Sequence, residues 1–309
     1  MESLENSSKI KIFFMKKVLL LGSTGMLGWQ LLKSLQNLKK FKIFASYKNK
    51  KKLFLLKKNL QIKKNVSFIK FDINKSSKFN YSNYDYIINC IGVIKPFINE
   101  NNQDSIKNAI KINSLFPHEL IPKNTKTKVF QIATDCVFDG KKGNYFEFNT
   151  HDAEDVYGKS KSLGEINAKN FFNIRCSIIG PELSGHKSLL DWFKFLPLKS
   201  KVFGFKNHSW NGVTTYAFGK VICGIIKKNL NISKMTHLLP KDHVNKFELL
   251  SIFKKYLLRK DINLKSKNSK MKINRTIQTS DKILNKKIWK YAGYKSIPTI
   301  EYLVKEAIE

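Results

Sequence analysis

Residues 18–28, VLLLGSTGMLG, restrict the fold more than any other part of the chain. Four apolar residues in a row suit a strand buried on both faces, and they run directly into glycines at positions 22, 25 and 28. Leu31, Leu32, Leu35 and Leu38 then recur at helical spacing. In a strand, turn and helix each glycine has a job. Gly22 makes the tight turn, Gly25 lets backbone approach a diphosphate, and Gly28 lets the helix pack on the sheet. The helix N-terminus adds amide donors and partial positive charge for phosphate. The stretch therefore reads as a dinucleotide site rather than a plain bend.

Further apolar runs at 42–47, 66–73, 86–90, 129–133 and 173–179 have strand character, with helical patterns at 26–38 and 105–120. This alternation predicts an α/β fold, a Rossmann-like doubly wound parallel sheet covered on both faces. Past residue 181 the pattern shifts to short strands and to helices over 214–227 and 247–258. That shift predicts a smaller C-terminal substrate-binding portion at the carboxyl ends of the strands. The expected division is 15–181 for the cofactor domain and 182–309 mainly for the substrate portion, with about 213–240 returning to the first. The pattern makes sense from Met15 onward, so residues 1–14 read as a disordered extension or a late-start artefact. The N-terminal region mimics a signal peptide, but its short apolar stretch is the first strand, and a cytoplasmic protein is expected. No run of about 18 uncharged apolar residues offers a membrane span.

The formal charge of +34 invites a nucleic-acid reading. Of 57 basic residues, however, only Arg175, Arg259 and Arg275 are arginine, the side chain suited to bidentate reading of bases. The lysines are spread along the whole chain among Asn and Ile. They read as solvated faces that steer small polyanions, with no specific nucleic-acid partner. Cys90, Cys136, Cys176 and Cys223 are far apart in apolar segments and read as reduced core residues. Neither Cys nor His has metal-ligand spacing, so no metal site is expected.

The catalytic signal lies farther along. A tyrosine and a lysine four residues on share one helix face. The chain has five such pairs, beginning at Tyr47, Tyr157, Tyr216, Tyr256 and Tyr291. Only Tyr157/Lys161 follows an upstream hydroxyl at a strand's carboxyl end, Thr134 in QIATDCVFDG. A phenol of pKa near 10 is a poor acid at neutral pH, and Lys161 is expected to lower that value and to bind the nicotinamide ribose. Thr134 would hydrogen-bond a substrate carbonyl, and Tyr157 would deliver the proton as hydride arrives. The overlapping GKS at 158–160 looks like the end of a P-loop, but Ala153 stands where that loop needs glycine, with no strand ahead of it. The second strand ends FASYKNKKK, without an acidic residue for a ribose 2′-hydroxyl. Ser46 and Lys48 are available there for a 2′-phosphate, so NADPH is favoured, with NADH left open.

Together these residues resemble the dTDP-4-dehydrorhamnose reductase family of extended short-chain dehydrogenases. The resemblance is carried by GSTGMLG, FDI, INCIGVIKP, INSLFPHEL, ATDCVFDGKKGNYFE, VYGKSKSLGE, NIRCSIIG, SLLDWF and WNGVTT. It implies NADPH-dependent reduction of the 4-keto group of a nucleotide-linked 6-deoxy sugar, in deoxysugar and surface-polysaccharide synthesis. It implies that Gly25, Met26 and Leu27, with Gly22, Thr24 and Gly28, meet the pyrophosphate. Asp72 and Ile73 would meet the adenine, and Cys90, Ile91, Gly92 and Val93 the ribose side of the cofactor. On the substrate side it points to Thr134, Asp135, Asn113, Trp192 and Arg275. Asn113 would order the site or serve as a buried structural residue, and Trp192 and Trp210 would stack on sugar or base or belong to the core. The resemblance leaves room for magnesium at a subunit contact and for a homodimer.

Three departures bear on the substrate: Cys136 where a tyrosine is usual, HDAED in place of a Pro-rich approach to Tyr157, and Thr276 after Arg275 where proline is common. Two alternatives stand. One is an epimerase or dehydratase on the same scaffold, for which Asp135 supplies a carboxylate but Cys136 stands where Glu is usual. The other is a non-catalytic NADP-binding regulatory subunit like that of methionine adenosyltransferase, against which the intact Thr134, Tyr157 and Lys161 weigh.

Overall fold

The computed structural model describes residues 15–309, and the extension expected over 1–14 lies outside them. Strands β1 (Lys16–Leu21), β2 (Phe41–Tyr47), β3 (Val66–Lys70), β4 (Tyr86–Asn89), β5 (Lys128–Ala133) and β6 (Phe171–Arg175) share one seven-stranded sheet with the edge strand Met235–His237. The edge strand lies beside β6, followed by β5, β4, β1, β2 and β3. Every neighbouring pair is parallel. Strand order reverses at β1, between β4 and β2, and that reversal opens the crevice in which such sheets hold ligands.

The composition of β1 follows from its place in the sheet. Val18 and Leu20 enter a core on one face, while Leu19 and Leu21 enter a core with Ile87, Phe116 and Val129 on the other. Successive residues of a strand alternate faces, so a strand covered on both sides is apolar throughout. The helix Met26–Leu35 buries Leu27, Leu31, Leu32 and Leu35 against the helix Thr215–Lys228, which contributes Ala217, Phe218, Val221 and Ile222 to the same core. A second core of Leu190, Phe193, Val202, Leu249, Leu250 and Phe253 holds the C-terminal portion together. Arg259 seals its edge: Nε and Nη2 reach Asp261 at 2.8 Å each, Nη1 the Lys194 carbonyl at 2.6 Å and Nη2 the Leu196 carbonyl at 2.9 Å.

Three elements differ from the sequence expectation. The strand expected over 173–179 is broken, since β6 stops at Arg175 and Ile178–Ile179 pairs with Val213–Thr214 outside the main sheet. The helix expected over 105–120 is three pieces: Gln103–Ile110, a π-helical turn Lys111–Leu115, and Phe116–Glu119 with Pro117 in its first turn. The edge strand Met235–His237 has only three residues, too few to show a period.

The glycine turn is tightly built. Gly22 has φ of 78°, and a Cβ on Gly28 would stand 2.1 Å from the Gly22 carbonyl oxygen. Gly28→Ala is therefore expected to push the first helix off the turn and to destabilise the fold by about 1–3 kcal/mol. Thermal melting tests this, and an unchanged Tm would show that the turn yields at no cost.

Candidate active site

The turn after β1 is anchored from β2. The Gly22 N–H donates to Ser46 Oγ at 2.9 Å, and Ser23 donates its N–H and its hydroxyl to the Ser46 carbonyl at 3.1 and 2.8 Å. Ser46, expected near a 2′-phosphate, is only 1% exposed, and its side chain holds the turn. Lys48 is exposed at the β2 tip, and exposed Lys70, the last residue of β3, pairs in register with neighbouring Tyr47. Lys70 escaped the sequence reading. The first helix begins after Gly25 with no side-chain cap and no acidic residue in its first turn. Backbone donors from Met26 onward are thus left for an anion, and Thr24 and Met26 are half-buried beside them. Asp72 caps the turn Ile73–Lys78 by accepting from the Asn74 N–H at 3.1 Å. A cavity of about 250 Å³ lined by Lys70, Phe71, Asp72, Lys75 and Phe79 adjoins it.

Cys90, Ile91, Gly92 and Val93 cross the same end of the sheet. The Cys90 N–H donates to the Leu21 carbonyl at 3.1 Å, and Ile91 packs over Gly22. The Val93 N–H donates to Asn113 Oδ1 at 2.9 Å, and Asn113 Nδ2 donates to the Val93 carbonyl at 2.9 Å and to Ser160 Oγ at 3.1 Å. Asn113 is 1% exposed and, of the two roles expected of it, shows the structural one, a tie between this loop and the helix Val156–Leu163. It lies in the π-helical turn, an irregularity that recurs at functional sites.

The helix Val156–Leu163 carries the Tyr/Lys pair. Asp155 caps it by accepting from the Gly158 N–H at 2.8 Å, and pairs with Lys95 at 2.6 Å. A Cβ on Gly158 would lie 2.4 Å from the Cys136 carbonyl oxygen, so glycine lets the helix press on the turn Asp135–Val137. This contact brings Tyr157 to Thr134. Thr134, one residue past β5, accepts from the Cys136 N–H at 3.2 Å and donates to Asp135 Oδ1 at 3.2 Å. Lys161, 8% exposed, donates from Nζ to the Ile132 carbonyl at 2.6 Å and lies near Cys90. Cys90, Thr134, Cys136, Tyr157 and Lys161 thus form one cluster at the strand ends.

Burial dominates the protonation states here. It pulls the Lys161 ammonium down to about 8, against the pull of Glu165. It pushes the Tyr157 phenol well above the ordinary tyrosine value, with Cys136 adding to the rise and the Thr134 hydroxyl opposing it. The expectation that Lys161 would lower the phenol is corrected: the ammonium is committed to the Ile132 carbonyl, and desolvation prevails. Tyr157 is consequently protonated at neutral pH, the form a proton donor needs. Burial likewise raises Asp135, against the pull of Arg275 and of the Thr134 hydroxyl, and pushes the Cys136 thiol up to about 12.

From the C-terminal portion, Arg275 faces Asp135 while Nε and Nη2 donate to the Phe138 and Asp139 carbonyls at 2.9 and 3.1 Å. Lys246, at the start of the helix Lys246–Tyr256, also acts on Asp135 and was missed. Its local sequence signal, the capping box of Asn245 and Glu248, marks a helix start but not its destination. Trp192 is half exposed with its ring edge-on to Phe193, and nothing among the described residues ties it to the cluster. Trp210 donates to Ser177 Oγ at 2.8 Å. All four cysteines are unpaired; Cys90, expected at the ribose side of a cofactor, and Cys136, expected in the core, both lie in this cluster. Among the described residues no group of three His, Cys, Asp or Glu side chains could hold a metal ion, and no helix is long and apolar enough to cross a membrane. Asn113→Ala would strand the half-buried Val93 amide and carbonyl, at about 1–3 kcal/mol for each group left unpaired, while the Ser160 hydroxyl keeps its bond to the Tyr157 carbonyl. A lower denaturation midpoint is expected, and an unaltered one would mean that Asn113 ties nothing together.

Solved structures share this fold over nearly the whole chain. A dTDP-4-dehydrorhamnose reductase from Clostridium acetobutylicum is 19% identical with a TM-score of 0.65, covering 94% of this chain and 98% of that one. A dTDP-4-dehydrorhamnose reductase from Bacillus anthracis in complex with NADP is 18% identical with a TM-score of 0.70, covering 94% and 98%. A UDP-glucuronic acid 4-epimerase from Bacillus cereus in complex with UDP-glucuronic acid and NAD is 16% identical with a TM-score of 0.72, covering 94% and 98%. No curated protein matches the chain. The family model described as the RmlD substrate binding domain matches residues 15–179, more than half of the chain, from β1 through the short strand Ile178–Ile179. With its glycine turn and its Tyr157/Lys161 helix both set at the ends of that parallel sheet, the chain belongs to the RmlD substrate binding domain family.

Proposed function

We propose that this protein is an NADPH-dependent reductase of the 4-keto group of a nucleotide-linked 6-deoxy sugar, of the dTDP-4-dehydrorhamnose reductase type. Family membership and the shared fold support the coarser statement, an NAD(P)-dependent oxidoreductase acting on a sugar nucleotide. The observation that carries the finer reading is the convergence of Thr134, Tyr157 and buried Lys161 beside the loop that packs on the glycine turn. The Bacillus anthracis reductase binds NADP, which supports the same cofactor here. The uncapped helix start after Gly25 fits its diphosphate, and Lys48 and Lys70 fit a 2′-phosphate.

A reduced nicotinamide supplies hydride to the carbonyl carbon when bound. In this reading Tyr157 gives its phenolic proton to the carbonyl oxygen, which leaves a secondary alcohol and a phenolate that solvent reprotonates. The Lys161 ammonium offsets the phenolate charge, and the Thr134 hydroxyl turns from Asp135 to the substrate oxygen. Arg275 and Lys246 supply positive charge around Asp135, suited to a substrate that carries a diphosphate. Asp135, buried and raised toward its protonated form beside Thr134, favours a second reading, an epimerase or dehydratase on the same scaffold.

Mixing the protein with NADPH and a dTDP- or UDP-linked 4-keto-6-deoxy sugar, made in situ by a dehydratase, should consume NADPH. Sugar conversion without net loss of NADPH would select the second reading. Tyr157→Phe should lower turnover by about 100-fold or more while NADPH binding persists. Full turnover by that variant would refute the assignment of Tyr157. Replacing Lys48 and Lys70 together by glutamate should shift preference from NADPH toward NADH by about tenfold. An unchanged ratio would remove both lysines from the cofactor site.

A further inference from the structure

Behind the catalytic helix lies a buried cluster that the chemistry above does not use. Arg175, at the end of β6, is fully buried, and all three of its guanidinium nitrogens are engaged. Nε donates to Glu165 Oε1 at 3.2 Å and Nη2 to Glu165 Oε2. Nη2 also reaches His151 Nε2 at 2.7 Å, Nη1 reaches His237 Nε2 at 2.9 Å, and the guanidinium lies 5.0 Å over the Phe138 ring. A guanidinium only donates, so each histidine must turn an unprotonated Nε2 toward it, and a neutral imidazole then carries its proton on Nδ1. His237 meets this demand independently, because its Nδ1 lies 2.6 Å from the Gln278 carbonyl, which can only accept. His151 Nδ1 lies 2.6 Å from Ser162 Oγ and donates to it. Ser162 adjoins Lys161 on the catalytic helix, and Gln278 lies three residues past Arg275.

We infer that Arg175 locks His151 and His237 as neutral Nδ1–H tautomers, and that through Ser162 and Gln278 this clamp sets the position of the catalytic helix and of the Arg275 segment. His151 is then a positioning residue, supplied by the HDAED loop at 151–155. The kinetic consequence rests on the reductase reading, whereas the tautomers do not.

The groups around both rings agree with the assignment. His151 is faced by Arg175, by Glu165 with Oε2 3.4 Å from Nε2, and by Asp152; burial first, with Arg175, holds it below the usual histidine value against the two carboxylates. His237 is faced by Arg175, Glu147, His151 and the Gln278 carbonyl; burial first, then Arg175, lowers it to about 4. An unfolded histidine titrates near 6.5, so on acidification the unfolded chain takes up these protons before the folded one does. The stability contributed by His237 is complete above about pH 6.5 and is lost as the pH falls toward about 4, and that of His151 is lost in the same direction on acidification.

Long-range proton–nitrogen NMR of the full chain labelled with 15N-histidine tests the tautomers directly. At pH 7.5 His151 and His237 should each show the Nδ1–H pattern, assigned by variant and kept apart from His186, whose Nδ1 lies 3.3 Å from Asp191 Oδ2. One set should vanish in His151→Gln and the other in His237→Gln, and in the parent protein the His237 set should persist to about pH 5.5. Either ring found as the Nε2–H tautomer, or as imidazolium at pH 7.5, would overturn the clamp. This arm needs no substrate, so it stands or falls apart from the proposed activity. In the kinetic arm His151→Ala and Ser162→Ala should each lower kcat about tenfold with KM for NADPH unchanged, and the double variant should be no worse than either. Additive losses would show that His151 does not act through Ser162.

Discussion

A parallel sheet covered on both faces leaves polar chemistry room only at the ends of its strands, and this constraint governs the molecule. Along β1 the four residues from Val18 to Leu21 are fully buried and have nothing to offer a ligand. Toward the carboxyl ends the register brings polar residues side by side. Asn89 pairs with Gln131 and Gln131 with Asn173, and farther out Arg175 lies between Ala133 and His237. Asn89 Nδ2 donates to Gln131 Oε1 at 2.8 Å and Asn173 Nδ2 to the Ile166 carbonyl at 2.9 Å, so this innermost polar row is taken up by the fold itself. Only beyond it, at Thr134 and the loops, does the candidate site begin.

Desolvation follows from the same geometry, and it sets the ionisation of the site. A cluster wedged between strand ends and a helix loses water, so its acids rise and its lysine falls together. Pairwise reasoning from Tyr157 and Lys161 alone predicts the opposite direction for the phenol, because spacing along a helix says nothing about where Nζ finds an acceptor. Here that acceptor is the Ile132 carbonyl, on a strand rather than on the helix. The outcome keeps the phenol in the protonated form that a proton donor needs.

What was legible in the sequence was whatever a local period or a tight motif could report. The apolar run into the glycine turn and the strand and helix alternation announced the sheet, and a hydroxyl at the end of β5 singled out one Tyr/Lys pair among five. The face on which Ser46 lies was not legible at a strand end, since it depends on which side the turn above it needs an acceptor. Nor could local pattern report Lys70, Lys246 or the Arg175 cluster. Arg175 meets His237 across 62 positions and His151 across 24, and no short-range signal encodes such meetings. The π-helical turn was hidden for a different reason: its residues keep helical character, and the extra one is visible only where Asn113 reaches both Val93 and Ser160.

The scarcity of arginine acquires a meaning from where the three arginines stand. Arg175 joins a carboxylate to two imidazoles, Arg259 joins Asp261 to the carbonyls after a helix, and Arg275 bridges two successive carbonyls. Each position asks one side chain to send donors in several fixed directions within a plane, which a lysine ammonium at the end of a flexible stem cannot do. Composition in this chain therefore works as a kind of staining: lysine covers the places where any cation will serve, and arginine is left at the joints where shape matters as much as charge.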